Sequence, residues 1–274
     1  MQKPSLVVLG SSNTDMIIQL DRLPRPGETL LGGEFHTAAG GKGANQAVAA
    51  ARAGGKVTFI ARVGRDLFGR QAVAGFQREG INVDWIAFDR QAPSGVALIF
   101  VAKDGENSIA VAGGANNNLS AADVRRAKAA FRGASILLMQ LETPMETVLA
   151  AASLAAKAGV RVILNPAPAR RLPDTLLRQV SILTPNETEA ELLTGIRVCN
   201  PATAAKAAHR LLERGTQTVI ITLGPRGAFI ATRDLARMVP GFRVKAVDTT
   251  AAGDILDRKS TRLNSSHEVP SRMP

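Results

Sequence analysis

From Ser135 to Gly224 the chain repeats one pattern: a short, near-continuous apolar run, then a segment with helical spacing, then the next run. The runs ILLMQL, VRVIL, SIL and TVIITL alternate with PMETVLAAASLAAKAG, PDTLLRQV, and ETEAELLTG followed by a long alanine-rich stretch. Strands that are apolar throughout need cover on both faces, and parallel strands joined by crossover helices provide it. The expected core is therefore an α/β fold: a doubly wound, mostly parallel sheet flanked by helices. Helix punctuation agrees, because Ser120 with Asp123 makes an N-terminal cap and Gly159, Gly195 and Gly215 fall where helices should stop.

Two early stretches break that rhythm. MIIQLDRLP with ETLLGGEFHTA, and SGVALIFVAKDGENSIAVAGG with its DGEN turn, read as antiparallel hairpins over residues 15–36 and 94–113. They are expected to form a small antiparallel β lid. Its open edges could cover a site or pair with a second copy of the chain, giving a homodimer.

Composition limits the function classes. A chain of 274 residues with 45% apolar and 21% charged residues can hold one large α/β domain. The formal charge of +11 admits nucleic acid, anionic lipid or a phosphorylated small molecule as partner. The basic residues are scattered, however, and with 4% aromatic residues and no tyrosine there are few platforms for stacking bases, so no nucleic-acid partner is expected. No apolar run is long enough for a secretory signal or a membrane span, which points to a cytoplasmic protein without a membrane partner. Cys199, the one cysteine, lacks the companions needed for a disulfide or a zinc site.

In doubly wound sheets ligands gather beyond the carboxyl ends of the strands. That rule selects Asn13, Asp15, Glu142, Asn186, Glu189 and the loop from Gly224 to Gly227. AAGGKGANQAVAAA places Gly40, Gly41 and Gly43 before a helix, either to present backbone N–H groups to an anionic or polyhydroxyl ligand or simply to let the helix pack closely. LGPRG is either a close approach to phosphate or a plain turn between strands. In TPNETEAELLTG, capping accounts for Asn186 and the helix dipole accounts for Glu189 without any ligand. DTTAAGD is the most informative string. Ala251, Ala252 and Gly253 would open a helix whose free N–H groups form an anion hole, with the Asp254 carboxylate beside it; that pairing suits proton removal from an alcohol during phosphoryl transfer.

Taken together and in order, GSSNTD, AAGGKGANQAVAAA, LMQLETP, LNPAPAR, TPNETEAE, ITLGPRG and DTTAAGD resemble the ribokinase-like (PfkB) carbohydrate kinase family over nearly everything from Leu6 to about Asp254. The resemblance implies an enzyme that phosphorylates D-ribose at O5 with ATP. Sugar contacts are implied for Asn13, Thr14, Asp15, Gly41, Lys42, Gly43, Ala44, Asn45, Glu142 and Asp254. ATP contacts are implied for Asn186, Thr222, Leu223, Gly224, Pro225, Arg226, Gly227, Gly253 and Asp254. Asp254 is implied as the catalytic base, with Ala251, Ala252 and Gly253 holding the developing charge. Glu189 would help position Mg2+ through water, and Asp248 with Thr250 would bind an activating K+. The alternatives are another sugar or nucleoside kinase of the family, or a sugar-binding protein without catalysis.

After Leu256 the resemblance ends. DRKSTRLNSSHEVPSRMP has no helical apolar stripe. Residues 1–256 are therefore expected to be a kinase domain cut short at its C-terminus, and residues 257–274 an unrelated, disordered tail left by a sequencing or assembly junction. A chain so built is expected to be a poor kinase or an inactive one.

Overall fold

The computed structural model describes residues 4–241; residues 257–274, expected to form an unrelated tail, lie outside the described residues. The strands, in chain order, are β1 (Ser5–Leu9), β2 (Asn13–Leu20), β3 (Glu34–Gly40), β4 (Lys56–Gly64), β5 (Ile86–Asp89), β6 (Gly95–Ala102), β7 (Asn107–Ala112), β8 (Ile136–Met139), β9 (Arg161–Leu164), β10 (Ile182–Leu183), β11 (Thr218–Thr222), β12 (Ala228–Ala231) and β13 (Ala236–Val239). The helices are α1 (Lys42–Arg52), α2 (Leu67–Arg78), α3 (Ala121–Arg126), α4 (Met145–Lys157), α5 (Asp174–Leu177), α6 (Glu187–Thr194) and α7 (Pro201–Glu213). Short 3-10 turns include Gly114–Asn118 after β7 and Gly224–Arg226 after β11.

Nine strands make the main sheet in the order β13-β12-β11-β10-β9-β8-β1-β4-β5. All neighbours from β11 to β5 run parallel, while β12 and β13 add an antiparallel edge. The alternation of β1 shows why both faces are apolar. Leu6 and Val8 join the core beneath α1 and α2, whereas Val7 and Leu9 join the larger core that packs against α4 and α7. Phe59 and Phe76 meet edge to face on the first side, with ring centroids 5.1 Å apart. No helix among the described residues is long and apolar enough to cross a membrane.

Helix starts follow the local chemistry. Ser120, Asn186 and Asn200 each form a reciprocal capping box at the head of α3, α6 and α7. Gly195 ends α6 in the left-handed conformation, and Gly159 and Gly215 lie just past α4 and α7.

The second sheet has the order β3-β2-β6-β7. Its two hairpins, β2–β3 and β6–β7, are antiparallel, and a parallel pairing of β2 with β6 joins them side by side. The strands begin at Asn13 and Gly95 and the first hairpin runs on to Gly40, so it is longer at both ends than the 15–36 span expected from sequence. An ion network anchors the neighbouring junction: Arg62 pairs with both Asp89 and Asp123, linking β4 to β5 and α3.

Leu211 of α7 is fully buried in the larger core. Leu211→Ala should lower the free energy of unfolding by about 2–5 kcal/mol, because the cavity adds to the lost transfer energy. Urea denaturation checks this.

Candidate functional site

The sugar-site candidates meet where β1 hands over to β2. The chain leaves β1 through Gly10, Ser11 and Ser12, and β2 opens at Asn13. Beside this crossing α1 begins at Lys42, preceded by Gly41 with φ 90°. A Cβ at Gly41 would stand 2.8 Å from the Asn13 nitrogen, so glycine serves both the backbone angle and the close approach.

Glu142, beyond β8, reaches into the same corner. Its Oε2 accepts from the Ser11 hydroxyl at 2.5 Å and from the Lys42 N–H at 3.0 Å. The Gly43 N–H donates to Ser11 Oγ, and the Ala44 N–H to the Ser11 carbonyl at 2.8 Å. The head of α1, read from sequence as a possible set of free N–H groups, is thus occupied from within the protein. A carboxylate at the positive end of a helix is well placed electrostatically.

Asp15 lies one register step further along β2, half-buried, with its carboxyl over Gly40. Burial, and secondly the charge of Glu142, raise its pKa above the ordinary carboxylate value. Among the described residues neither carboxylate has a lysine or arginine ion-pair partner. Two close acids without a cation favour a ligand rich in hydrogen-bond donors, such as a polyol. Asn13, Thr14, Ala44 and Asn45 line a cavity of about 670 Å³ between β3, α1 and α2; Asp15, Lys42 and Glu142 are not on its wall.

The nucleotide candidates assemble at the ends of β10 and β11. Asn186 pairs with Thr222 in an isolated parallel bridge, and the Thr222 N–H donates to the Pro185 carbonyl at 2.9 Å. Leu223 and Gly227 close the loop through an N–H to carbonyl bond of 2.8 Å, around a single turn of Gly224, Pro225 and Arg226. The Arg226 guanidinium pairs with Glu187 and donates to the Cys199 carbonyl at 2.7 Å, so it braces the loop against α6 and the segment before α7. Asn186 and Glu189 form a capping box, with both reciprocal bonds at 2.8 Å.

Asp248, Thr250, Ala251, Ala252, Gly253 and Asp254 lie outside the described residues. Among the described residues no group of three or more His, Cys, Asp and Glu side chains converges to hold a metal. A magnesium ion carried by nucleotide phosphates needs only one or two protein carboxylates, and the single carboxylate of Glu189 beside Asn186 fits that modest requirement.

Two participants escaped the sequence reading. Ser11 ties Glu142 to α1, and Asn116, buried after β7, bonds to Ser12 and Asn13. The doubled serine of GSSNTD and the triple asparagine of GANNN were the available signals.

Comparison with known proteins follows the same outline. The sequence profile described as pfkB family carbohydrate kinase matches residues 3–256. The chain is 50% identical over 252 residues to the ribokinase of Haemophilus influenzae, covering 92% of this chain and 82% of that one. It is 41% identical over 250 residues to the deoxyribokinase of Salmonella typhimurium, covering 91% and 82% respectively. The structure of Arabidopsis thaliana ribokinase complexed with ribose and ATP superposes with a TM-score of 0.87 at 32% identity, covering 97% of this chain and 88% of that one.

Because the folded chain disfavours ionised Asp15, this group's contribution is fully favourable below the unfolded pKa and is lost as pH rises through the raised folded value. Asp15→Asn should therefore raise the thermal midpoint of the ligand-free protein at pH 7. That advantage should disappear below about pH 3.8, near the ordinary aspartate value. Paired melting curves from pH 3 to pH 8 measure it.

Proposed function

The chain belongs to the pfkB family of carbohydrate kinases, and within it we propose an ATP-dependent ribokinase that transfers the γ-phosphoryl group to O5 of D-ribose. The observation that carries this reading is the close pair of acids Asp15 and Glu142 at the ends of β1 and β8, with no lysine or arginine partner among the described residues, beside Asn13 and the GGKGAN turn. A ribose molecule offers the donors that such a pair needs. The relatives named ribokinase strengthen the choice of sugar, and the deoxyribokinase keeps a deoxypentose as the second reading.

In this reading Asn13, Thr14, Asp15, Gly41, Lys42, Gly43, Ala44, Asn45 and Glu142 hold the sugar. Asn186 and the loop from Thr222 to Gly227 hold ATP, Arg226 by bracing the loop from its side. Glu189 would touch the water shell of a bound Mg2+, which would screen the phosphate charge, and Asp248 with Thr250 would hold an activating K+. Asp254 accepts the O5 proton while the N–H groups of Ala251, Ala252 and Gly253 face the phosphoryl group in flight. No shifted pKa is required of Asp254, because the alcohol proton moves late in a loose transition state and positioning supplies most of the acceleration.

The test is to supply the chain with ATP, Mg2+ and D-ribose and assay ribose 5-phosphate. Asp254→Asn should reduce its formation at least about 100-fold, at the lower end of what a general base contributes, while calorimetric titration still shows D-ribose binding. Absence of ribose binding by the unsubstituted chain would overturn the reading.

The proposal extends to a homodimer formed through the small sheet. Register puts Asp15, Ala97 and Val111 on one face, and Met16, Leu98, Ile18 and Phe35 on the other. On that second face Phe35 is 62% exposed and Leu98 48% exposed, a pairing of large apolar groups that a second copy would cover. Leu98→Asp should shift the sedimentation coefficient from dimer to monomer at micromolar concentration without lowering the thermal midpoint of the monomer.

A further inference from the structure

We infer that Asn116 is a positioning residue that fixes which end of the Asn13 amide faces the sugar, and so sets which hydroxyl pattern is accepted. The inference rests on the sugar site proposed above. Asn116 sits in the 3-10 turn after β7 and is 2% exposed. Its Oδ1 accepts from the Ser12 N–H at 2.9 Å, and its Nδ2 donates to the Ser12 carbonyl at 3.2 Å. A backbone N–H can only donate and a backbone carbonyl can only accept, so these two bonds leave the Asn116 amide one orientation.

The second proton of the same Nδ2 meets Asn13 at 2.7 Å, and the atom that receives it must be an acceptor. Asn13 is therefore held by its Oδ1. Its NH2 group is turned away from Asn116, is without a hydrogen-bond partner among the described residues, and belongs to a residue on the cavity wall. The backbone of Ser12 thus dictates, through two side-chain amides in series, that Asn13 presents a donor. Asp15, two residues further along the same face of β2, carries acceptor oxygens.

Space for this relay comes from Gly95, the residue opposite Asn13 in the β2–β6 register. A Cβ there would lie 2.2 Å from Asn13 Oδ1 and 2.3 Å from Asn116 Nδ2, splitting the bond. The relay therefore joins the start of β2, the start of β6 and the exit from β7.

Asn116→Asp tests the inference. The carboxylate still accepts from the Ser12 N–H, but its other oxygen opposes both the Ser12 carbonyl and Asn13 Oδ1, and the second clash favours a reversed Asn13 amide with its carbonyl toward the ligand. The chain and its variants are titrated by calorimetry with D-ribose, 2-deoxy-D-ribose and 3-deoxy-D-ribose. The unsubstituted chain should bind one deoxysugar at least about tenfold more weakly than ribose, since an unpaired buried donor is costly. Asn116→Asp should bind ribose about tenfold more weakly and bring that same deoxysugar within about threefold of it. Asn13→Asp, which still accepts from Asn116 but presents an oxygen, should reproduce the changed selectivity. Equal weakening toward all three sugars, or unchanged selectivity, would mark Asn116 as merely structural and overturn the inference.

If Asn116→Asp does not fold, the unsubstituted chain gives the answer by side-chain amide exchange in NMR. The Asn116 NH2 should be protected before sugar is added, and the Asn13 NH2 only after; protection of both without sugar overturns the relay. Failure of the sugar site itself looks different, because Asn13→Ala would then leave ribose affinity unchanged.

Discussion

The Glu142 carboxylate is the constraint on which the rest of the site depends. It receives the Ser11 hydroxyl and the first N–H of α1 at once, so it fastens the end of β8 to the crossing between β1 and β2. Without it two donors would lose their acceptor at a part-buried position, and the approach of α1 to Ser11 would be set by packing alone. The same charge has a second consequence. After burial itself, it is the second cause that makes ionisation of Asp15 less favourable than in an ordinary aspartate. The corner therefore gives up some stability to keep two acids close, a common arrangement where a site must be ready for its ligand.

The main sheet was legible because its strands are covered on both faces, so that ILLM and TVIIT read as apolar runs without help from any distant residue. The capping boxes were legible for a similar reason, since each partner lies three residues away. The antiparallel edge of β12 and β13 did not stand out. AFIA and ARMV are short, and β13 is only partly covered, which leaves no continuous apolar pattern to read.

Within the site, residue types were readable but their contacts were not. LGPRG read as a close backbone approach to phosphate or a plain turn between strands, and nothing local showed that the Arg226 guanidinium is engaged by Glu187, 39 residues earlier in the chain. Nothing in its local sequence singles out Asn116, because its partners lie 103 and 104 residues away. Of the N–H groups that the glycine turn could have offered at the head of α1, that of Lys42 is claimed by Glu142, 100 residues on, and those of Gly43 and Ala44 by Ser11. Local spacing carries no information about such pairs; they follow from the strand order that brings β1 between β8 and β4.

That strand order also relates the two halves of the site. The sugar candidates lie at the ends of β1 and β8, and the nucleotide candidates at the ends of β10 and β11, with β9 alone between β8 and β10. Neighbouring strands stand about 4.8 Å apart, so the step from β8 to β10 is roughly 10 Å, measured across one edge of one rigid sheet. Phosphoryl transfer asks little covalent chemistry of a protein and a great deal of alignment. A parallel sheet meets that demand economically, because every strand delivers its loop to the same edge and the spacing between loops is fixed by backbone hydrogen bonds rather than by side chains. The small sheet differs, since it meets this edge through the short Gly10–Ser12 segment and the turn that holds Asn116. On the proposed assignment, selectivity for the sugar depends on the junction between the two sheets, while the separation of the two substrates depends on the main sheet alone.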